Sequence, residues 1–488
     1  MTPRVLLVSV PAPAVKQTKE EREFWYWHYA LKARLTYPNL STEQLMKLGE
    51  NENQNVGLLS LASTLLANGI EVVYLAPSLV FVGGHRLSHF EQLLQKTILT
   101  SSYDFIGFSA HTCAIPLAKQ YAILAKSWSP ETKTIIGGPH ATGSTGQEFE
   151  ELLNAFDFVV RGKGEDPFLQ LMQGKNSVPG VSFQRRDIRF ETSPWFVSPE
   201  RYPSPANHLM NIKELPAARV FTSLGCRKGK KCVFCADGMH TKEIVIRPIE
   251  DVIAEMDWLY RHLGTRYFYL GDENLFLDET HIQAVFEGLK RLPNDIVIGC
   301  QARIENAESR LIRDLAQTGK CTEIQYGVES ADQAILDFNC KGLRLSQVRE
   351  VCQMTKSFGI NVHCYFLVGL PGETRKTAQL TIKMMEEMLR EGIADFIEYR
   401  SAIPFPGAPM WEEAERYGVH IRHKRWDEYR GENVPPFDLD GLSAQEIHRY
   451  YLEGLGRITL RYKDRYQRDF GDAPPDVNVL SAVTEGSF

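Results

Sequence analysis

The stretch "SLGCRKGKKCVFCADG", Ser223–Gly238, sets Cys226, Cys232 and Cys235 in a C-x5-C-x2-C pattern beside Arg227, Lys228, Lys230 and Lys231. Read alone, it leaves several chemistries open. A structural zinc site closes with four ligands, and His240 is the nearest fourth candidate. A disulfide needs an oxidising compartment. An iron–sulfur cluster of the four-iron type normally takes four thiolates, so three would leave one iron open to a ligand. The basic residues would favour thiolates electrostatically, or they form an ordinary solvated loop.

What flanks the cysteines limits the choice. A strand is predicted at 218–224, directly before them, and five more follow at 266–271, 295–301, 322–328, 361–368 and 395–402. Helices are predicted at 248–263, 278–291, 307–318, 345–358, 374–391 and 408–417, so strands and helices alternate. Six βα units in a row imply a barrel or part of one, with its site at the carboxyl ends of the strands. The cysteine loop stands at such an end.

Upstream the pattern is also α/β. Strands are predicted at 4–10, 70–76, 103–110, 132–138 and 156–162, with helices at 56–69 and near 115–127, 145–154 and 165–173. Apolar strands with helical crossovers imply a doubly wound, Rossmann-like parallel sheet that binds ligands at strand ends. Residues 14–55 interrupt this domain. Their centre, "EFWYWHY" (23–29), reads either as a helix packed on the body or as a lid over a ligand. Residues 174–216 read as an extended linker, and residues 421–488 as a charged, aromatic C-terminal extension with one helix at 443–463. The expected division is thus 1–173, 174–216, 217–420 and 421–488.

Composition excludes some classes. The chain has 488 residues, 43% apolar and 24% charged, with a net charge of about -6. That balance argues against a general nucleic-acid grip. No apolar run reaches the roughly 20 residues of a membrane span. The opening "MTPRVLLVSVPAPAV" has a short apolar run broken by Pro11 and Pro13, so a buried strand fits better than a signal peptide. Six of the nine cysteines (Cys113, Cys300, Cys321, Cys340, Cys352, Cys364) are scattered singly, as reduced buried thiols are. A cytoplasmic monomer is expected.

Several motifs, in order, resemble the radical S-adenosylmethionine (SAM) superfamily, specifically members with an N-terminal cobalamin-binding domain. They are the cysteine loop, "YLGDENLF" (269–276), "CQARIE" (300–305), "IQYGVESADQAIL" (324–336), "CYFLVGLPGET" (364–374) and "IPFPGAPMWEEAERYG" (403–418). In the first domain "IIGGPHAT" (135–142) and "VVRGKGEDPF" (159–168) resemble cobalamin loops. The resemblance spans about residues 1–420. Two features depart from it. The usual cysteine spacing is C-x3-C-x2-C, and the Asp-x-His-x-x-Gly signature that gives cobalt a lower histidine is absent.

The resemblance implies three cofactors: a [4Fe–4S] cluster on Cys226, Cys232 and Cys235, SAM chelated by the open iron, and cobalamin held without a signature histidine. Reductive cleavage of SAM would release a 5′-deoxyadenosyl radical, with electrons from an external flavodoxin- or ferredoxin-type donor. Candidate SAM contacts are Asp272, Asn274, Arg303, Glu329, Ser330, Gly369, Gly372 and Glu373. Candidate cobalamin contacts are Ser109, His111, Thr112, Gly137, Gly138, His140, Ala141, Arg161 and Gly162. Glu329 and Arg303 have bland alternatives as rim ion pairs, and the glycines as tight turns. The implied function is methylation of carbon or phosphorus in a small-molecule, lipid or carrier-bound substrate, with secondary metabolism as the setting. The alternatives are a radical cyclase, ring-contracting or rearranging enzyme, and a non-catalytic cobalamin or iron–sulfur binding protein.

Overall fold

The computed structural model describes residues 3–13, 17–37, 41–42, 54–77, 86–175, 177–185, 188–196, 202–226, 231–236 and 244–471. Two parallel sheets dominate. The first contains β1 (Arg4–Ser9), β2 (Glu71–Leu75), β3 (Phe105–Ser109), β4 (Lys133–Gly137) and β5 (Phe158–Val160) in the order β2-β1-β3-β4-β5, all parallel. Helices cover both faces, so these strands are nearly continuous apolar runs: Val5 to Val8 are all fully buried. Strand order reverses between β1 and β3, which opens a crevice at their carboxyl ends.

The sheet continues where the sequence suggested a linker. Strands β6 (Val181–Arg185) and β7 (Ile188–Phe190) add antiparallel to β5. Phe183 gives the reason: its ring packs between Phe158 and Phe190, with centroids 5.7 and 5.5 Å apart.

The second sheet has six parallel strands: β8 (Ala217–Val220), β11 (Tyr267–Leu270), β12 (Val297–Ala302), β13 (Cys321–Glu329), β14 (Asn361–Val368) and β15 (Phe396–Ser401). Each pairs with its sequence neighbour, and β8 and β15 do not meet, so the sheet is a half-barrel. Between β8 and β11, the short strands β9 (Ser223–Leu224) and β10 (Val245–Ile246) pair antiparallel and frame the cysteine loop.

The aromatic insertion supplies helix α1 (Lys19–Leu35), started by a Thr18–Glu21 capping box. It leaves the first sheet and packs on the half-barrel and on the C-terminal helix Ala444–Phe470. Lys32 Nζ donates to Glu323 Oε1 of β13 at 3.0 Å, and Tyr451 of the C-terminal helix donates to Glu21 at 3.2 Å. His28 lies between His363 and Tyr462. The segment 403–430 runs back to the first sheet, where Ile403, Trp426 and Tyr429 join its core. Each half of the molecule is therefore sealed by a segment from the other.

Candidate active site at the strand ends

The cysteine loop is anchored from below. Asp272, fully buried after β11, accepts from Thr222 N (3.1 Å), Thr222 Oγ1 (2.8 Å) and Ser223 Oγ (2.6 Å), and also from Ser223 N. Its lone pairs are spent on holding the strand that leads to Cys226, so it positions the loop. Glu273 adds a bond from Gly225 N at 2.7 Å. Val233, between Cys232 and Cys235, is buried; its N–H donates to Asn339 O, and its carbonyl accepts from Met410 N.

The three cysteines are half-buried and none is in a disulfide. Arg303 donates to Cys226 Sγ at 3.6 Å and pairs with Glu305 at 2.6 Å. Burial works against the Arg303 charge, yet Glu305 and Cys226 raise its pKa above the ordinary value. Among the described residues no three His, Cys, Asp or Glu side chains stand close enough to share one ion. A four-iron cluster does not ask for that, since each thiolate holds a different iron. Three reduced thiols in one loop, one of them beside a fixed guanidinium, fit such a cluster. Arg227, Lys228, Lys230 and His240 lie outside the described residues, and Lys231 is exposed.

The end of β13 carries the sharpest local signal. Glu329 has φ +73°, a left-handed value that costs a residue with a Cβ about 1–2 kcal/mol. Such strain clusters at functional sites. Its carboxylate accepts from Lys341 Nζ at 2.7 Å, and both side chains are buried. Burial tends to lower the Lys341 pKa, but Glu329, Cys232 and Glu305 together hold it above its ordinary value. Sequence reasoning missed Lys341. Its available signal was the turn "NCKG" (339–342), where both Cys340 and Gly342 take positive φ.

The other expected SAM contacts are mostly tied within the protein. Asn274 accepts from Arg303 N and donates to Asn306, both at 3.0 Å. Ser330 is fully buried and accepts from Asp332 N. Gly369 and Gly372 take positive φ in one turn, and Glu373 accepts from Gly369 N across it. Burial drives the Glu373 carboxyl up to about 8, partly offset by the N–H groups of Gly369 and Leu370.

In the first domain, Ser109 ends β3 and Gly137 ends β4. A Cβ on Gly138 (φ +101°) would lie 3.1 Å from Ser109 Oγ, so these loops touch. Thr112 Oγ1 lies 3.3 Å from His140 Nδ1, while His111 is exposed. His140 and Ala141 are buried, and the His140 ring stands edge-on to Trp426 at 4.9 Å. Its Nε2 has no hydrogen-bond partner, and burial, with Lys119, brings its pKa down to about 3. Gly162 N donates to Thr142 Oγ1 at 3.0 Å and Arg161 to Ser144 O at 3.5 Å, so both stand beside the same loop. The Arg161 guanidinium lies 4.0 Å over the Phe149 ring and donates to Thr192 O, and Trp195 O occupies the space a Cβ on Gly162 would take. Segment 192–195 thus packs against both residues as well. The strand ends, with a buried imidazole whose Nε2 has no partner, fit an amide-rimmed macrocycle that needs small residues and polar contacts.

Comparison with known proteins agrees with this geometry. Residues 48–172 match the B12 binding domain family, and residues 220–385 match the Radical SAM superfamily. An uncharacterized methyltransferase of Pyrococcus horikoshii is 27% identical over 384 residues, 76% of this chain and 82% of the relative. The anaerobic magnesium-protoporphyrin IX monomethyl ester cyclase of Rubrivivax gelatinosus is 25% identical over 350 residues, 66% of this chain and 60% of its own length. Among solved structures, the radical SAM methyltransferase TsrM of Kitasatospora setae shares the fold at TM-score 0.62 and 14% identity, covering 86% of this chain and 77% of that one. The chain belongs to the radical SAM proteins that carry a B12-binding domain. It is a radical SAM enzyme.

Proposed function

We propose that this enzyme is a cobalamin-dependent methyltransferase acting on carbon or phosphorus of a small-molecule, lipid or carrier-bound substrate in secondary metabolism. The observation that carries the reading is the strand-end arrangement: three reduced thiols in one loop, with Arg303 beside Cys226 and the buried Glu329–Lys341 pair at the end of β13. Methyltransferase names among the similar proteins support it.

In this reading Cys226, Cys232 and Cys235 hold a four-iron cluster, and residues 1–173 hold cobalamin. The cluster supplies the electron for reductive cleavage of SAM, and cobalamin supplies the transferred methyl group. Asp272 and Glu273 fix the strand that presents Cys226. Arg303 and Lys341 set positive charge beside the thiolates, which favours their ionised form. Glu329 offers a carboxylate to the amine or ribose hydroxyls of SAM, while Ser330, Asn274 and the Gly369–Glu373 turn support that wall. Ser109, Thr112, Gly137, Gly138, His140 and Ala141 face the macrocycle. Residues 217–420 form the catalytic domain and 421–488 the extension, whose described residues up to 471 pack on both halves. An external flavodoxin- or ferredoxin-type protein delivers electrons. Among the described residues no helix is long and apolar enough to cross a membrane.

Similarity to the cyclase favours a second reading, radical cyclisation without net methyl transfer. Product mass separates them. A gain of one methyl group supports methyl transfer, and an isomeric or dehydrogenated product overturns it.

A further inference from the structure

The aromatic insertion has a destination that the reading above does not use. The parity of β15 shows where its side chains point. Tyr399 faces outward, against Gly454 of the C-terminal helix, so Phe396, Glu398 and Arg400 face into the half-barrel. There Arg400 lies 4.6 Å over the Trp25 ring of α1, with Nε donating to Glu398 at 3.0 Å. Tyr29, one turn along α1, stacks on Trp25 with centroids 5.6 Å apart and planes at 28°. This aromatic pair with its guanidinium forms one wall inside the concave face.

The facing wall is a hydrogen-bond array across four strands. Tyr269 donates towards Gln301 Oε1 (2.8 Å) and Gln325 Oε1 (2.9 Å), and Tyr365 donates to Gln325 Oε1 at 2.6 Å. The Gln325 amide has one orientation, because its Nε2 donates to the Glu323 carboxylate at 2.6 Å. Glu323 is in turn held by Lys32 of α1. One helix therefore supplies the first wall and orients the second.

Between the walls the side chains are not sealed. Trp25, Tyr29, Tyr269, Gln301, Tyr365, Glu398 and Arg400 are all only half-buried, although Phe24, Tyr26, Cys300, Phe366 and Tyr399 beside them are at most 1% exposed. Leu367, an aliphatic inward position on β14, turns against the cluster of Ile335, Leu370 and Ala402. Among the described residues, the half-buried side chains between the walls are flat rings, amides, phenols and charges.

We propose that α1 forms a wall of the substrate chamber, and that the chamber takes a compact, polar, ring-bearing compound. Such a compound stacks on Trp25 and hydrogen-bonds to Gln301 and the Tyr269–Tyr365 array; among the described residues an acyl chain finds no aliphatic wall. This rests on the radical SAM reading for where substrate enters, and it removes lipids from the substrate classes left open by the sequence.

The test is equilibrium dialysis of the anaerobic, cluster-loaded full chain with two amide probes, quinoline-3-carboxamide and octanamide. The flat probe is expected to bind at least about ten-fold more tightly. Trp25→Ala is expected to erase that preference and Trp25→Phe to keep most of it. Equal or tighter binding of octanamide, no binding of either probe, or an unchanged preference in Trp25→Ala overturns the proposal. If Trp25→Ala does not fold, Gln301→Ala on the facing wall carries the same test, with a loss of flat-probe affinity expected and unchanged affinity contradicting it. Reductive cleavage of SAM by the wild-type chain is measured separately. Cleavage with a failed dialysis result overturns the chamber alone, whereas no cleavage removes the reading beneath it.

Discussion

Lys32 of the insertion helix and Glu323 of β13 form a buried ion pair at 3.0 Å, joining residues 291 positions apart. Burial alone would raise the Glu323 pKa, but Lys32, His363 and Gln325 bring it below its ordinary value. Their bonds all go to Oε1, and Oε2 has no hydrogen-bond partner. Removing Lys32 leaves an uncompensated carboxylate in the interior. Lys32→Met is therefore expected to cost about 3–5 kcal/mol in urea unfolding. The double variant Lys32→Met/Glu323→Gln should recover much of that loss. A single variant as stable as the wild type would contradict a stabilising role for this ion pair.

Asp272 takes four hydrogen bonds from Thr222 and Ser223 and has no exposed surface. Asp272→Ala should free the strand before Cys226 and lower iron retention at least several-fold after desalting, while far-UV dichroism stays near native. Unchanged iron content would show that the cysteine loop does not depend on this anchor.

The thiols separate by position. Cys232→Ala should abolish the visible absorbance of an iron–sulfur cluster. Cys340→Ala, in the turn beyond β13, should leave it intact. Equal effects from both substitutions would remove the assignment of Cys232 as a ligand.

Glu373 gives a pH dependence with a definite sign. Its carboxyl titrates near 8 in the native state, against 4.5 as the ordinary value. Between those values the native state keeps a proton that the unfolded chain has lost. Its stabilising contribution is therefore complete below about pH 4.5 and falls as pH rises towards 8, by at most about 1.4 kcal/mol per unit. Glu373→Gln should flatten stability over that window in chemical unfolding. A variant with the wild-type slope would contradict a buried, protonated Glu373.

The strands of the first sheet were legible because a parallel sheet covered on both faces needs unbroken apolar runs, and those of the half-barrel because apolar residues alternate with inward polar ones; all eleven principal strands lie at or within a few residues of their expected places. The cysteine loop was legible from its position after β8. The destination of α1 was not. An aromatic helix shows that it must be buried, but its partner surface is set by Glu323, His363 and Tyr462, hundreds of residues away. Arg161 and Gly162 were chosen as strand-end residues, and their partners Thr192 and Trp195 lay in a stretch that resembled a linker. Asp272 was expected to meet ligand; only the fold shows that Thr222 and Ser223 saturate it. Lys341 stayed hidden because a lone lysine in a turn carries no signal until Glu329 is placed beside it.

The most direct test of the central claim is iron and cobalt analysis of protein purified without oxygen, followed by reduction in the presence of SAM. The account predicts about four irons and one cobalt per chain, with 5′-deoxyadenosine or methylated product formed. Protein that binds no iron under those conditions, or that holds iron yet never cleaves SAM, would contradict it.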